Sequence, residues 1–240
     1  MARVHGQSTR VYVGPYNLSG RVNKVELSFE TDTPEVTCFE DVGKAFVVGK
    51  AQWEADYEGF ADYTAAEIDE ILGALGTTAH NIEIYFPGGV GYSGLGSLKM
   101  QSRASEIADA AKLKFKMVGA EGTMLARGGA LLNNGVVVTG TGAQTGASTV
   151  TATVGKLVRL TSTIVAVTGS GSITVAAQES SDGGGDPYAT AIAGTAQTAV
   201  GSVVSTVVAG GTLGPFWRTN VTAFSGFTNV TLRSSITVLG

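Results

Sequence analysis

Cysteine occurs once, at Cys38, and histidine twice, at His5 and His80. One thiol can form no internal disulfide, and a Ser-His-Asp or Cys-His nucleophile or a His/Cys metal centre would have to be built from almost nothing. Charge is scarce too. Asp, Glu, Lys and Arg make up 15% of the chain, and a net charge of −4 leaves no positive field to draw nucleic acid into a groove. No stretch of about 18 apolar residues could cross a membrane as a helix. The opening MARVHGQSTR lacks the apolar core of a secretion signal, so synthesis in the cytoplasm is expected.

What is present is glycine, 34 residues in a chain of 240, with abundant Ser, Thr and Val. That composition favours a mainly β fold with many turns, and the length allows one large or two small domains. The charges are unevenly spread. Residues 1–127 hold 12 Lys and Arg with 17 Asp and Glu, whereas residues 128–240 hold 4 and 3. Gly128, Gly129, Asn133 and Asn134 cluster at this change, so 126–134 reads as a linker between a domain at 1–127 and a second at 128–240.

In the first part, 9–13 reads as a short strand. Val25, Leu27 and Phe29 alternate with Lys24, Glu26 and Ser28, as a strand with one buried face requires. A loop is expected from 31 to 35. In 45–60, Trp53, Ala55, Tyr57 and Gly59 share one strand face and Gln52, Glu54, Asp56 and Glu58 the other. Thr64 and Glu67 have capping-box spacing ahead of Ile68, Ile71, Leu72 and Leu75, which predicts a helix from Thr64 ended by Gly76. Residues 81–86 alternate again. Leu113, Phe115 and Met117 alternate with Lys112, Lys114 and Lys116, a strand with a basic outer face. The whole reads as a β-sheet unit with one packed helix.

The second part is strand after strand, at 136–139, 149–154, 157–167, 172–179, 200–209, 216–222 and 230–238, with no helical period. An antiparallel β-sandwich is the natural arrangement. Short motifs offer little chemistry. Gly89, Gly91 and Gly94 spell G-x-G-x-x-G, but no apolar helix follows to aim amides at a phosphate, and a flexible glycine loop is expected. Asp182 and Asp186 fit no calcium-binding loop, so 180–187 reads as a solvated turn. The expectation is a protein without catalytic residues, metal or cofactor.

Two stretches resemble siphophage tail tube (major tail) proteins. The first is Arg10-Val-Tyr-Val-Gly-Pro-Tyr-Asn-Leu-Ser-Gly20, followed by Val36-Thr-Cys-Phe39 with Asp41, Lys44, Phe46 and Gly49. The family often has V-x-V-G-G-Y-D-L-S-G and then T-x-F-G-D-x-x-K-x-F-x-P-G; here Glu40 and Val48 stand where that pattern has Gly and Pro. The second is the turn 180–183, then Phe216-Trp-Arg-Thr-Asn-Val221 and a last alternating strand. The resemblance implies a structural protein of the virion, with subunits in hexameric rings stacked into a hollow tail whose β-barrel lumen conducts DNA. It implies partners in a tape-measure protein, transiting double-stranded DNA, a tail terminator and tail tip proteins. Glu54, Asp56 and Glu58 would line the lumen, the loop with Thr31, Asp32, Glu35 and Asp41 would order against the next ring, and the second domain would lie outside. Two other readings fit the composition. One is a capsid decoration protein; the other is a sugar-binding adhesin using Tyr188, Phe216, Trp217, Phe224 and Phe227.

Overall fold

Alternation of apolar and polar residues becomes strand almost throughout. A computed structural model describes residues 9–33, 35–37, 44, 46–47, 51–64, 67–87, 90–104, 111–120, 125–144, 148–183 and 187–239. In chain order the elements are β1 (Arg10–Val13), β2 (Tyr16–Asn17), β3 (Val22–Thr31), β4 (Ala51–Phe60), α1 (Ile68–Leu75), β5 (His80–Phe86), β6 (Val90–Ala104), β7 (Lys112–Gly119) and β8 (Ala126–Val138). There follow β9 (Gly142–Ala143), β10 (Ser148–Thr149), β11 (Leu157–Ser180), β12 (Ala189–Ile192), β13 (Ala196–Gln197), β14 (Gly201–Val208) and β15 (Phe216–Leu239). The fold is mainly antiparallel β, with one short helix among the described residues.

Two compact units form, and their boundaries do not follow the change in charge density. One holds residues 20–80 and 94–125; the other holds 1–19, 81–93 and 126–240. The cut expected at 127/128 is therefore replaced by a nested one, because the N-terminal strand and β5 pair with each other and belong with the C-terminal strands. The expected linker at 126–134 is strand β8, laddered onto β15 from Thr237↔Gly129 to Val230↔Val138. Its turn-forming residues have other uses. A side chain at Gly129 would press on the Thr237 hydroxyl, and Asn133 is buried with its amide donating to Ser234 Oγ at 3.0 Å.

In the larger unit, β11 and β15 pair along their whole lengths, from Leu157↔Leu239 to Ser180↔Phe216. Sequence periodicity suggests four strands here. The structure has two, because the ribbon bends where register slips between Thr168 and Ser172. Gly169 and Gly226 take φ of +93° and +77° at that bend, backbone that glycine adopts without cost. Folding the ribbon over brings its ends together. Val158 and Leu160 pack with Ala177, Trp217 and Ile236, while Ile164 packs with Ile173, Val221 and Val230. Two layers of one ribbon thus enclose an apolar core, as sheet-on-sheet packing demands.

The smaller unit is a sheet in the order β3-β4-β7-β6 with α1. Trp53, Ala55 and Tyr57 of β4 are buried with Leu113, Phe115 and Met117 of β7, and α1 buries Ile68, Ile71, Leu72 and Leu75. Tyr57 and Phe115 stack with centroids 4.5 Å apart and planes at 7°. The Tyr57 hydroxyl is buried without a hydrogen-bond partner among the described residues, and burial pushes its pKa well above the usual tyrosine value. Tyr57→Phe keeps the stack and removes an unpaired polar group. It should raise stability by about 1 kcal/mol in urea unfolding; a loss of similar size would mean the hydroxyl is bonded.

The capping box expected at Thr64 is absent. α1 begins at Ile68, with Glu67 at the N-cap position making no side-chain cap. The reason is competition: Glu67 Oε2 instead accepts from Arg21 Nε at 2.6 Å, and Asp62 Oδ1 accepts from the Thr64 amide at 2.9 Å. At the other end Gly76 closes the helix at φ +55°. His80 Nε2 lies 2.9 Å from the Leu75 carbonyl oxygen, which can only accept, so this nitrogen donates and helps cap the C-terminus.

Candidate assembly surface

The acidic stripe of β4 exists as alternation demanded. Glu54, Asp56 and Glu58 lie on the face opposite Trp53, Ala55 and Tyr57, and each is partly exposed. Register places basic residues beside them. On one side Lys116 stands across from Asp56 and Lys114 across from Glu58; on the other, Lys24 stands across from Glu58 and Glu26 across from Asp56. The rows interlock. Lys116 Nζ is 2.7 Å from Glu54 and 3.3 Å from Asp56, Lys99 of β6 is 2.7 Å from Glu54, and Lys114 is 3.0 Å from Glu58. Lys24 lies 3.1 Å from Glu26 and 3.7 Å from Glu58. The wet face of this sheet is a lattice of alternating signs rather than a bare acidic wall.

Hydrogen bonds from Lys116 and Lys99 hold the Glu54 carboxyl below its usual pKa, and one from Lys114 does the same for Glu58. A depressed folded pKa stabilises above the unfolded value and loses that contribution as pH falls through the folded one. Replacing Glu54 and Glu58 by Gln should therefore cost a small amount of stability at pH 7 and nothing in acid below the glutamate range. Urea midpoints of the double variant and wild type across pH check this. A gap that persists unchanged in acid would rule out the ionic origin.

The edge of the sheet matters equally. Among the described residues β3 pairs with β4 only. Among the described residues no strand pairs with its far side, and its apolar face is incompletely covered: Val25 and Leu27 are half-buried and Phe29 is 49% exposed. Natural sheets rarely leave such an edge bare unless something pairs with it.

The segment beyond β3 holds the other residues singled out in the sequence. Thr31 ends the strand opposite Ala51 and Asp32 is exposed. Glu35 forms an isolated bridge with Phe46, accepts from Lys44 Nζ at 3.0 Å and from Thr37 Oγ1 at 2.9 Å. Val36, Phe46 and Val47 are exposed on this segment. Asp41 lies outside the described residues.

Elsewhere the structure offers little chemistry. Among the described residues no group of three or more His, Cys, Asp or Glu is placed to hold a metal ion. Gly91 and Gly94 sit in strand β6, not in a flexible loop, and Gly89 lies outside the described residues; a side chain at Gly91 would collide with the Gly129 carbonyl and the Tyr85 ring. The expected turn at 180–187 is supported as far as Gly183, whose amide donates to Ser180 Oγ at 3.1 Å; Asp186 lies outside the described residues. Of the aromatics a sugar-binding sandwich would need, Trp217 and Phe227 belong to the cores, and Tyr188 is covered by the Arg218 guanidinium 4.0 Å from its ring centre.

Two features go beyond the sequence expectations: the ion lattice, and the β3 edge that pairs with β4 alone among the described residues. The signal for the first was present in the complementary alternation of Glu54, Asp56 and Glu58 with Lys112, Lys114 and Lys116, since opposite charges favour cross-strand pairing.

No protein-family model matches the chain, and no curated protein matches it. Among solved structures the chain is similar to one from the virion of a native gene transfer agent particle, at 14% identity and TM-score 0.43 over 52% of this chain and 99% of that one. It is similar to one from the tail of an empty gene transfer agent particle with C6 symmetry, at 13% identity and TM-score 0.41 over the same shares. It is also similar to the Dit protein of SPP1, described as a hub of the adsorption apparatus in phages infecting Gram-positive bacteria. That match has 11% identity and TM-score 0.37 over 97% of this chain and 99% of that one.

Proposed function

We propose that this chain is a structural protein of a phage virion and, within that class, a subunit of a long non-contractile tail tube. Copies close into hexameric rings, and the rings stack around a lumen that conducts DNA. The observation that carries the proposal is the β3-β4-β7-β6 sheet, with an apolar face, a charged face and a ten-residue strand that has one neighbour among the described residues. A ring gives each β3 a second partner strand, so an edge that would invite uncontrolled pairing in a monomer becomes the joint between subunits. The tail-tube-like residues at both ends of the chain support the same reading.

In this arrangement Glu54, Asp56 and Glu58 face the lumen with their lysine partners. A wall of interlocked opposite charges is strongly hydrated and has little net field beyond a Debye length of about 8–10 Å, so phosphates slide past without being held. The segment with Thr31, Asp32, Glu35 and Asp41 meets the next ring, and the sandwich of the larger unit, built on β11 and β15, decorates the exterior. A tape-measure protein occupies the lumen before DNA, and terminator and tip proteins close the ends.

Electron microscopy of the purified protein at high concentration tests the proposal. Tubes of uniform width, with antibody to the protein labelling tails along their length, are the expected result. Monodisperse monomers with no tail labelling would overturn it, and trimers binding to heads would point to a decoration protein.

A further inference from the structure

One cation of the larger unit is unlike its neighbours. Arg159 on β11 is 8% exposed, and neither its Nε nor its Nη1 has a hydrogen-bond partner among the described residues. Arg233 shows what a buried guanidinium receives elsewhere in the same ladder: the Glu83 carboxylate, the Gly14 carbonyl and the Tyr12 ring. Arg159 instead stands directly across from Thr206 of β14 and Thr237 of β15, with Thr161 two residues along the same face. The hydroxyls of Thr161 and Thr237 are also buried and unpartnered. Three adjacent side chains of one sheet face thus keep donors idle, and burial alone lowers the pKa of Arg159, with no carboxylate opposing it.

Water can satisfy the two hydroxyls, but it brings no charge to a guanidinium that cannot shed its own. A buried cation without a counter-charge is strongly unfavourable. Ladder spacing puts Arg159 and Thr237 about 5 Å apart at Cβ and Thr161 about 7 Å along, a span an oxyanion can bridge. Thr206 on the outer side is exposed, so the row opens towards β14.

We propose that Arg159, Thr161 and Thr237 form a binding site for a small oxyanion, a phosphate or a carboxylate, with arginine supplying the charge and the threonines neutral donors. The anion is either a free ion or an Asp or Glu carboxylate of a second copy of the chain. This goes beyond the tail-tube proposal and stands apart from it, since the site lies on β11 and β15 and its test reads binding rather than tube formation.

The test is thermal unfolding of the full chain at fixed ionic strength, with chloride replaced stepwise by phosphate or by acetate, at two protein concentrations. The wild type should show a saturable rise in Tm, its folding constant growing about 100-fold at 100 times the Kd. Arg159→Met should show no rise and should be at least as stable as wild type in chloride. If the anion comes from a second copy, the wild-type Tm in chloride climbs with protein concentration and that of Arg159→Met does not. Thr237→Val provides a second variant, with a weakened rise, should the methionine variant not fold. No rise in any wild-type arm, or an equal rise in Arg159→Met, overturns the site.

Discussion

Glu83→Ala should be the most damaging single change outside the apolar cores, lowering stability by about 3–5 kcal/mol. Glu83 and Arg233 are each 1% exposed, and Arg233 Nε lies 3.3 Å from Glu83 Oε2. The same carboxylate accepts from the Tyr85 hydroxyl at 3.3 Å and from Ser235, while Arg233 donates to the Gly14 carbonyl and lies 4.2 Å over the Tyr12 ring. Tyr12 in turn donates to Asn134 Oδ1 at 2.8 Å. Strands β1, β5, β8 and β15 therefore meet at one buried charge pair. Removing the carboxylate leaves a guanidinium in the interior with a carbonyl and a ring but no anion. Against a total of about 5–15 kcal/mol, the loss should appear as a Tm drop of roughly 6–20 °C. Replacing both partners with apolar residues should cost much less than the two single changes added together. A Glu83→Ala variant within about 1 kcal/mol of wild type would show that the pair holds nothing together.

This pair marks the limit of what the sequence discloses. Glu83 sits in an alternating strand at 81–86 and Arg233 in another 150 residues away, and nothing local in either run says that the two meet. Periodicity does locate most strands, because each needs one buried face, and it places Trp53, Tyr57, Phe115 and Ile71 inside for the same reason. It fails where residue type and context disagree. Gly128, Gly129, Asn133 and Asn134 have turn chemistry, yet tight approach to β15 and buried amide bonding keep them in β8. The capping box at Thr64 fails because Arg21, distant in sequence, takes the Glu67 carboxylate. For the candidate surface, the acidic stripe is legible from alternation alone. Its neutralisation depends on which strands are neighbours, and strand order is a property of the folded chain.

That neutralisation changes how the assembly surface should be probed, and it moves the decisive experiment from the stripe to the edge. Reversing Glu54, Asp56 and Glu58 to lysine would set three new cations among Lys24, Lys99, Lys114 and Lys116 and damage the sheet itself. Phe29→Lys is cleaner. Phe29 is 49% exposed on β3, which pairs with β4 alone among the described residues, so the isolated subunit should fold with a stability change of about 1 kcal/mol or less, as judged by urea unfolding. At a joint between β3 and a neighbouring strand, however, the lysine would bury a charge. Losing a central apolar anchor costs about 2 kcal/mol or more per contact, roughly a thirtyfold weakening at each joint, and a ring repeats that joint at every subunit. Tubes should be absent from micrographs at concentrations where the wild type forms them. Val208→Lys is the matched control: Val208 is 61% exposed on β14, which pairs with β11 alone among the described residues. If the exterior sandwich takes no part in ring closure, that variant still assembles. Tubes from Phe29→Lys together with none from Val208→Lys would move the joint from β3 to the sandwich edge, while tubes from both would leave each edge free in the assembled tail.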